Sequence, residues 1–523
     1  MRSTHLGTIV FALIALLAAW RLWRSPYDAS NLEIVPDSVE YVVAADRVVT
    51  HQGYNLLIDG VARPPRYPPW FSVGFLAPML FFAQGQLGAA ILPVFFFGIA
   101  SVVAACAIGK SLSGLWGAAG AGLALLFSPT FATLSRVVMT DVPSLAFGLA
   151  ACWLYVKAPA RLTQPRDTAD TDRSDVALPA GLLAAAGFAL RSECLAILLP
   201  FAWRIVRSER RPLVSLGRLV MPSLAVFAAT AWYNAATFGS WQRTGYNYWC
   251  PVPYDFLSLT FGLRYLSRNL EQLLTAPRIV ALILSGIGAA VLLARNRAGA
   301  RQALTYLALA ALPGTLLHLV YFYPEARFHL FVLALACVIG GAGFGSLAER
   351  AVHGRLWPIL LVIGLTALVP RFDSFTPPYR RMVADTLARE TPPDAVIVSG
   401  LDPVFLEPYL LRGSSRTLVP ASRSVEYASK LVAETRLGPI DPPPRGPTDH
   451  RAPGLFKAGA VDPCPIVATE SRERLMSWLH EGRRVFVDAS FFPGDAPIGR
   501  IFDPGIFFVP NPRVPWLAEV RLP

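Results

Sequence analysis

The chain has 523 residues, 54% of them hydrophobic and only 16% charged, with a formal net charge of +12. Soluble globular domains carry about 25% charged residues, so an ordinary soluble enzyme is excluded. Apolar blocks of membrane-spanning length make the chain a polytopic membrane protein. Residues 1–370 hold 28 basic and 17 acidic side chains, and residues 371–523 hold 19 and 18. The basic excess thus sits in the membrane half, where topology explains it better than nucleic-acid binding does.

The first apolar run, Leu6–Trp20, ends on Arg21 and Arg24 without a small-residue cleavage site, and reads as an uncleaved span. Further spans are expected at about 88–109, 114–134, 142–157, 177–190, 194–206, 213–236, 276–294, 303–322, 328–348 and 355–370. The block 177–206 could be one helix or two short passes broken at Arg191-Ser192-Glu193. Basic loops flank it on both sides: Lys157, Arg161, Arg166 and Arg173 before, Arg204, Arg207, Arg210, Arg211 and Arg218 after. Both should be cytoplasmic, so the chain crosses twice between them. This gives about eleven spans, with the N-terminus inside and the C-terminus outside. The long outer segments are 24–87 and 237–275.

After Pro370 the apolar runs shorten to strand length, at 395–399, 484–488 and 505–509, with a helix-like stretch at 470–482 and a Pro-rich loop at 438–447. The expected architecture is a mainly α transmembrane domain, 1–370, followed by a small extracytoplasmic α/β domain, 371–523. The Gly340–Gly345 run (GGAGFG) lacks the strand-to-helix setting of a phosphate loop, and its small residues suit close helix packing. Six Cys occur without a CxxC pair and without His at zinc spacing.

Candidate chemistry is densest after the first span: Pro36-Asp37-Ser38-Val39-Glu40-Tyr41, then Arg63-Pro64-Pro65-Arg66-Tyr67-Pro68-Pro69-Trp70. Asp37, Glu40 and Tyr41 are spaced to share one helical face, although Asp before an apolar run is also an N-cap pattern. Asp141 follows at the outer start of another span, where Thr140 or Asp141 before Pro143 is again a capping pattern. The topology places Asp37, Asp141, Arg66, Arg191 and Arg327 at one membrane face. Carboxylates with arginines there suit an anionic lipid-phosphate substrate, one carboxylate serving as base and guanidinium groups receiving the phosphate. Glu193 beside Arg191 reads equally as a neutralised ion pair. His329 beside Arg327 reads first as structural, and Tyr246 as either a sugar-stacking or an interfacial aromatic.

The order of these motifs resembles a known family. Asp37-x-x-x-Tyr41, the Pro-Pro segment Arg66–Trp70, Ser135…Asp141, Trp232-Tyr-Asn234…Thr244-Gly245-Tyr246 and Glu325-Ala-Arg327-Phe-His329 look like the GT-C superfamily of integral-membrane glycosyltransferases. Within it, the pattern is similar to the branch of protein O-mannosyltransferases and the lipid A aminoarabinose transferase. The resemblance spans residues 1–370. It implies that Asp37 is the catalytic base, that Asp141 shapes the site, and that Arg66 and Arg327 meet the donor phosphate. Glu40, Tyr41, Tyr67, Arg191, Glu193, Tyr246 and His329 are further candidate substrate contacts by their place in or beside these motifs or at the same membrane face. The implied reaction is an inverting transfer of a hexosyl or pentosyl group from a polyprenyl-phosphate donor to a hydroxyl on lipid, polysaccharide or protein. Its place would be the outer face of a bacterial plasma membrane. Where many relatives carry two adjacent acidic residues, this chain has Asp37-Ser38, which favours chemistry without a metal and leaves a divalent ion open. A transporter or flippase of an anionic lipid is the main alternative, although it should show an internal repeat that the sequence lacks. A polysaccharide polymerase or ligase is the other.

Overall fold

The computed structural model describes residues 2–23, 36–58, 60–157, 176–208, 212–249, 254–295, 299–351, 379–399, 403–411, 414–423, 465–467, 469–490 and 506–523. The expected span 355–370 and the Pro-rich loop 438–447 lie outside the described residues. The chain forms two compact units, the first made of 1–27, 90–229 and 262–374, the second of 28–89, 230–261 and 375–523.

In the first unit the helices are apolar because membrane-length runs of Leu, Ala, Val and Gly can satisfy their backbone groups only within the helix. Described helices long and apolar enough to cross a membrane cover Leu87–Leu126, Pro212–Phe238, Ala276–Ala294, Ala300–Leu319 and Ala326–Glu349, so the chain is an integral membrane protein. The first of these is a hairpin. Ser113 and Gly114 leave helical geometry, with Gly114 at φ 77°. Gly109 lies against the backbone of Gly117, and Gly122 against Cys106 Sγ. A straight helix would hold Cys106 and Gly122 about 24 Å apart, so the two arms run back along each other, as the separate runs at 88–109 and 114–134 require.

The glycine run of helix Leu330–Ala351 does the packing expected of it. Gly341 lies against the backbone of Gly120, Gly345 against Trp116, and Gly343 against Gly288. One helix is thereby held between the hairpin and helix Ala276–Ala294 with backbones in direct contact. Between helices Ala177–Leu190 and Leu198–Ser208 the chain breaks at an extended Arg191 (φ −150°, ψ 129°) and a short 3₁₀ turn.

In the second unit, helix Pro36–Val49 is followed by a small antiparallel hairpin, β1 (Leu56–Ile58) with β2 (Val61–Arg63). The next stretch departs from the sequence reading, which left it within an outer loop: Ser72–Phe82 is an apolar helix with Phe81 and Phe82 exposed. At this length an apolar helix is too short for a crossing.

The same unit holds a six-stranded mixed sheet: β3 (Val396–Ser399), β4 (Thr417–Arg423), β5 (Pro465–Val467), β6 (Val485–Asp488), β7 (Phe507–Pro510) and β8 (Leu517–Arg521), in the order β5-β4-β3-β6-β8-β7. β3 runs parallel to β4 and β6; the remaining pairs are antiparallel. Alternate residues feed two cores. Val396, Val398, Val485 and Val487 meet Leu475 and Leu479 of helix Thr469–His480. Ile397, Leu418 and Phe486 meet Val383 and Leu387 of helix Tyr379–Glu390 and Leu406 of helix Pro403–Leu410. Central strands buried on both faces need continuous apolar runs, which is why 395–399 and 484–488 stand out in the sequence.

The hairpin and helix Pro36–Val49 are tied to this sheet layer through Glu407. Its carboxylate accepts from Arg47 Nη1 at 2.9 Å and from the Leu57 backbone N–H at 3.2 Å, while Arg47 Nε donates to Asn55 at 2.7 Å.

Candidate active site

The candidate residues fall into two groups, one in each unit. In the second unit, Asp37 and Glu40 stand in the first turns of helix Pro36–Val49, three residues apart and on one face. Both reach Arg66, which the Pro64-Pro65 segment after β2 delivers. Arg66 Nη2 donates to Glu40 Oε2 at 2.8 Å, Arg66 Nε to the same oxygen at 3.1 Å, and Nη2 to Asp37 Oδ1 at 3.3 Å. The Arg66 backbone N–H also donates to Glu40 Oε1.

Both oxygens of Glu40 are thus committed to holding Arg66, whereas Asp37 meets the same guanidinium at the longer distance of 3.3 Å. Asp37 is also the more open, its side chain 12% exposed against 6% for Glu40. Burial pushes the Glu40 carboxyl above the usual carboxylate range, and the Arg66 charge and hydrogen bonds pull it back in part.

An aromatic wall surrounds the guanidinium. Tyr41 stacks on Tyr67 at 4.3 Å between ring centres, Tyr246 meets Tyr67 edge-on at 5.6 Å, and Arg66 Cζ lies 5.1 Å from the Tyr67 ring and 6.0 Å from that of Tyr246. Gly245 is required beside it, because a Cβ there would collide with the Arg66 backbone. Burial raises the Tyr67 phenol well above its ordinary value, keeping it a neutral donor.

In the first unit, Asp141 begins helix Asp141–Lys157 with its side chain only 1% exposed. Its Oδ1 accepts from Arg191, while Oδ2 is buried without a hydrogen-bond partner. The carboxylate therefore caps no backbone N–H and serves a tertiary pair instead. Arg191 is shared: its Nε donates to Glu193 Oε1 at 2.7 Å. Glu193 also stands 3.4 Å from His318 Nε2.

Arg327 pairs with Glu325 at 2.6 Å and approaches Met139 Sδ at 3.8 Å. Phe328 joins these groups, with Arg191 Cζ 5.5 Å and Arg327 Cζ 5.3 Å from its ring and His318 stacked on it at 4.9 Å. His329 is buried, its ring 6.4 Å from that of His318. A small cavity is lined by Asp141, Ser144, Glu193, Cys194, Arg327 and Phe331.

The structure therefore brings Asp37, Glu40, Tyr41, Arg66, Tyr67 and Tyr246 together in one unit, and Asp141, Arg191, Glu193, Arg327 and His329 together in the other. Sequence reasoning passed over His318, and gave Phe328 and Gly245, though they lie inside quoted motifs, no role of their own. His318 offers only a weak signal, a lone His near the end of an apolar helix. Phe328 lies inside a motif whose charged neighbours drew the attention.

No group of three or more His, Cys, Asp or Glu among the described residues is arranged to hold a metal ion. The donor set at Asp37 and Glu40 fits one poorly, since Arg66 already supplies a cation to both carboxylates.

No protein-family model matches the sequence, and no curated protein does either. Solved structures do match. The chain is similar to ArnT from Cupriavidus metallidurans bound to undecaprenyl phosphate, with a TM-score of 0.59 and 11% identity over 98% of this chain and 97% of that one. It is also similar to the oligosaccharyltransferase AglB from Archaeoglobus fulgidus in complex with an inhibitory peptide and a dolichol-phosphate, with a TM-score of 0.55 and 11% identity over 99% of this chain and 74% of that one. At such identities the likeness is one of architecture: the chain shares the fold of these two proteins.

Proposed function

We propose that this protein is a membrane glycosyltransferase that moves a sugar, hexosyl or pentosyl, from a polyprenyl-phosphate donor to a hydroxyl acceptor. The observation that carries the reading is the Asp37–Arg66–Glu40 arrangement on a GT-C fold. The structures it resembles hold undecaprenyl phosphate and dolichol-phosphate. The asymmetry of basic loops supports placing the reaction on the outer face of a bacterial plasma membrane, with the N-terminus cytoplasmic.

Asp37 takes the proton of the acceptor hydroxyl as its oxygen attacks the anomeric carbon. The bond from that carbon to the phosphate oxygen breaks, its electron pair leaves with the polyprenyl phosphate, and the anomeric centre inverts. Glu40 holds Arg66 so that its guanidinium faces developing negative charge in a fixed orientation. In the first unit, Asp141 and Glu193 orient Arg191. The poor fit of the Asp37 and Glu40 donor set to a cation supports a reaction that needs no divalent ion.

Membranes supplied with radiolabelled polyprenyl-phosphate sugar and no pre-assembled glycan test the function. Wild type consumes the donor, and Asp37→Asn loses about 10²–10⁴-fold of the rate, the usual contribution of a general base. A folded Asp37→Asn protein with undiminished transfer removes Asp37 from the role. A wild type that translocates the donor without consuming it makes the protein a flippase.

A further inference from the structure

The proposed base and the guanidinium beside it reach the site on separate arms of the second unit. Asp37 and Glu40 ride on helix Pro36–Val49. Arg66 arrives on the hairpin, where β1 holds β2 through the pairing of Leu57 with Ala62. Arg66 lies four residues beyond Ala62, and the rings of Pro64 and Pro65 between them fix φ, so this arm is stiff.

One carboxylate grips both arms away from the site. Glu407, on helix Pro403–Leu410 of the sheet layer, accepts from Arg47 Nη1 at 2.9 Å through Oε1 and from the Leu57 backbone N–H at 3.2 Å through Oε2. Arg47 stands seven residues beyond Glu40, two turns along the same helical face and about 10 Å away. Its Nε donates to Asn55 Oδ1 at 2.7 Å, and Asn55 Nδ2 donates to the Gln52 carbonyl at 2.6 Å, which fixes the turn between helix and hairpin. The hairpin tip is seated on the same layer: a Cβ on Gly60 would stand 3.6 Å from Thr417 Cγ2 of β4 and 3.7 Å from Arg474 of helix Thr469–His480.

The side chains of Glu407 and Arg47 are 7% and 12% exposed. Replacing a buried ion pair by apolar residues of the same shape is often neutral for stability, so stability alone does not call for charges here. What the pair adds is direction, because charge-assisted hydrogen bonds hold their partners in one geometry. We infer that Glu407 is a positioning residue for the transfer reaction: by holding Arg47 and Leu57 at once, it sets where Arg66 stands against Asp37 and Glu40. The inference rests on the proposed function and gives the C-terminal sheet a part in it, as the anchor of both arms. A shift of about 1 Å at reacting groups can cost about 10²-fold, so a remote tie of this kind is felt in the rate.

The test measures consumption of the labelled donor, per folded protein, by full-length Glu407→Gln in detergent, and hydrogen exchange of the same protein without donor. Gln keeps the shape and leaves one neutral acceptor for Arg47 and Leu57 to share. Transfer should fall at least about tenfold. The step that Glu40 gives the pH–rate profile should move to higher pH, because the Arg66 charge lowers that carboxyl and would stand farther from it; Asp37 is the other charge bearing on it. Combined with Glu40→Gln, the loss should be smaller than the product of the two single losses, since both act through Arg66. If Glu407→Gln does not fold, Arg47→Lys, which keeps the charge without the planar fork shared by Glu407 and Asn55, should move the step in the same direction. A profile lowered in height with its step unmoved marks a structural role only and overturns the inference. So does transfer within about twofold of wild type, or a double variant that loses the full product. Hydrogen exchange reads the tie directly: the Arg66 amide, which donates to Glu40, should exchange faster in Glu407→Gln while the strands at 396–399 and 485–488 stay protected. Unchanged exchange at Arg66 overturns the positioning by itself, whereas a wild type that consumes no donor counts against the proposed function.

Discussion

Replacing Glu40 by Gln isolates the group that holds Arg66 from the group proposed to take the proton. The change keeps shape and one acceptor oxygen, removes the charge, and turns an amide NH₂ toward a guanidinium that has only donors to offer. Of the contacts at 2.8 and 3.1 Å and the backbone contact from Arg66, at most those to one oxygen survive, as neutral bonds. A hydrogen bond to a charged group contributes about 1.5–3 kcal/mol. Arg66 is 26% exposed and still meets Asp37 at 3.3 Å, so water and the second carboxylate bring the loss to the lower end of that range.

About 1.5 kcal/mol corresponds to roughly tenfold in rate. The expected result is a fall of about tenfold in transfer from the labelled donor, with the protein folded in detergent and Asp37→Asn far more damaged. Glu40→Asp, too short to reach both the backbone and the side chain of Arg66, should fall between wild type and Glu40→Gln. Transfer within about twofold of wild type in Glu40→Gln would refute the idea that Glu40 positions Arg66.

The same carboxylate sets a pH dependence. Its folded-state value is raised above the unfolded one, so its contribution to stability is fully present below the unfolded value and is lost as pH rises through the folded value. Activity should move oppositely, falling as pH drops through the raised value because protonated Glu40 releases Arg66; a pH–rate profile of Glu40→Gln should lack that step. Glu407→Gln should lower stability by about 1.5–3 kcal/mol by weakening its bonds to Arg47 and Leu57, measured by thermal melting. Gly341→Leu should cost at least about 1–3 kcal/mol, because its Cβ meets the Gly120 backbone, whereas Gly286→Ala, with open space around it, should be neutral or slightly stabilising. Chelation with EDTA should leave transfer unchanged, and a loss restored by a divalent ion would count against the arginine-only reading of the site.

Much of the framework is legible in the residues themselves. Membrane-length apolar runs, the breaks at Ser113-Gly114 and Arg191, the glycine run at 340–345 and the strands at 396–399 and 485–488 follow from local rules, because each depends on neighbours within a few positions. The i, i+3 spacing of Asp37 and Glu40 is of the same kind. Apolar length alone did not separate the short apolar helix Ser72–Phe82 from an outer loop, since a run that short has several destinations.

What the tertiary structure decided is which charge meets which. Arg66 answers to Glu40 more than to Asp37, at a separation of 26 residues; Arg191 clasps Asp141 from 50 residues away; Glu407 reaches Arg47 across 360. Asp141 has the pattern of a helix cap and yet spends its carboxylate on Arg191. Such pairings are set by where loops close and by which buried charges require compensation. Neither leaves a periodic trace along the chain, because a guanidinium finds its carboxylate only after packed helices have excluded water from both.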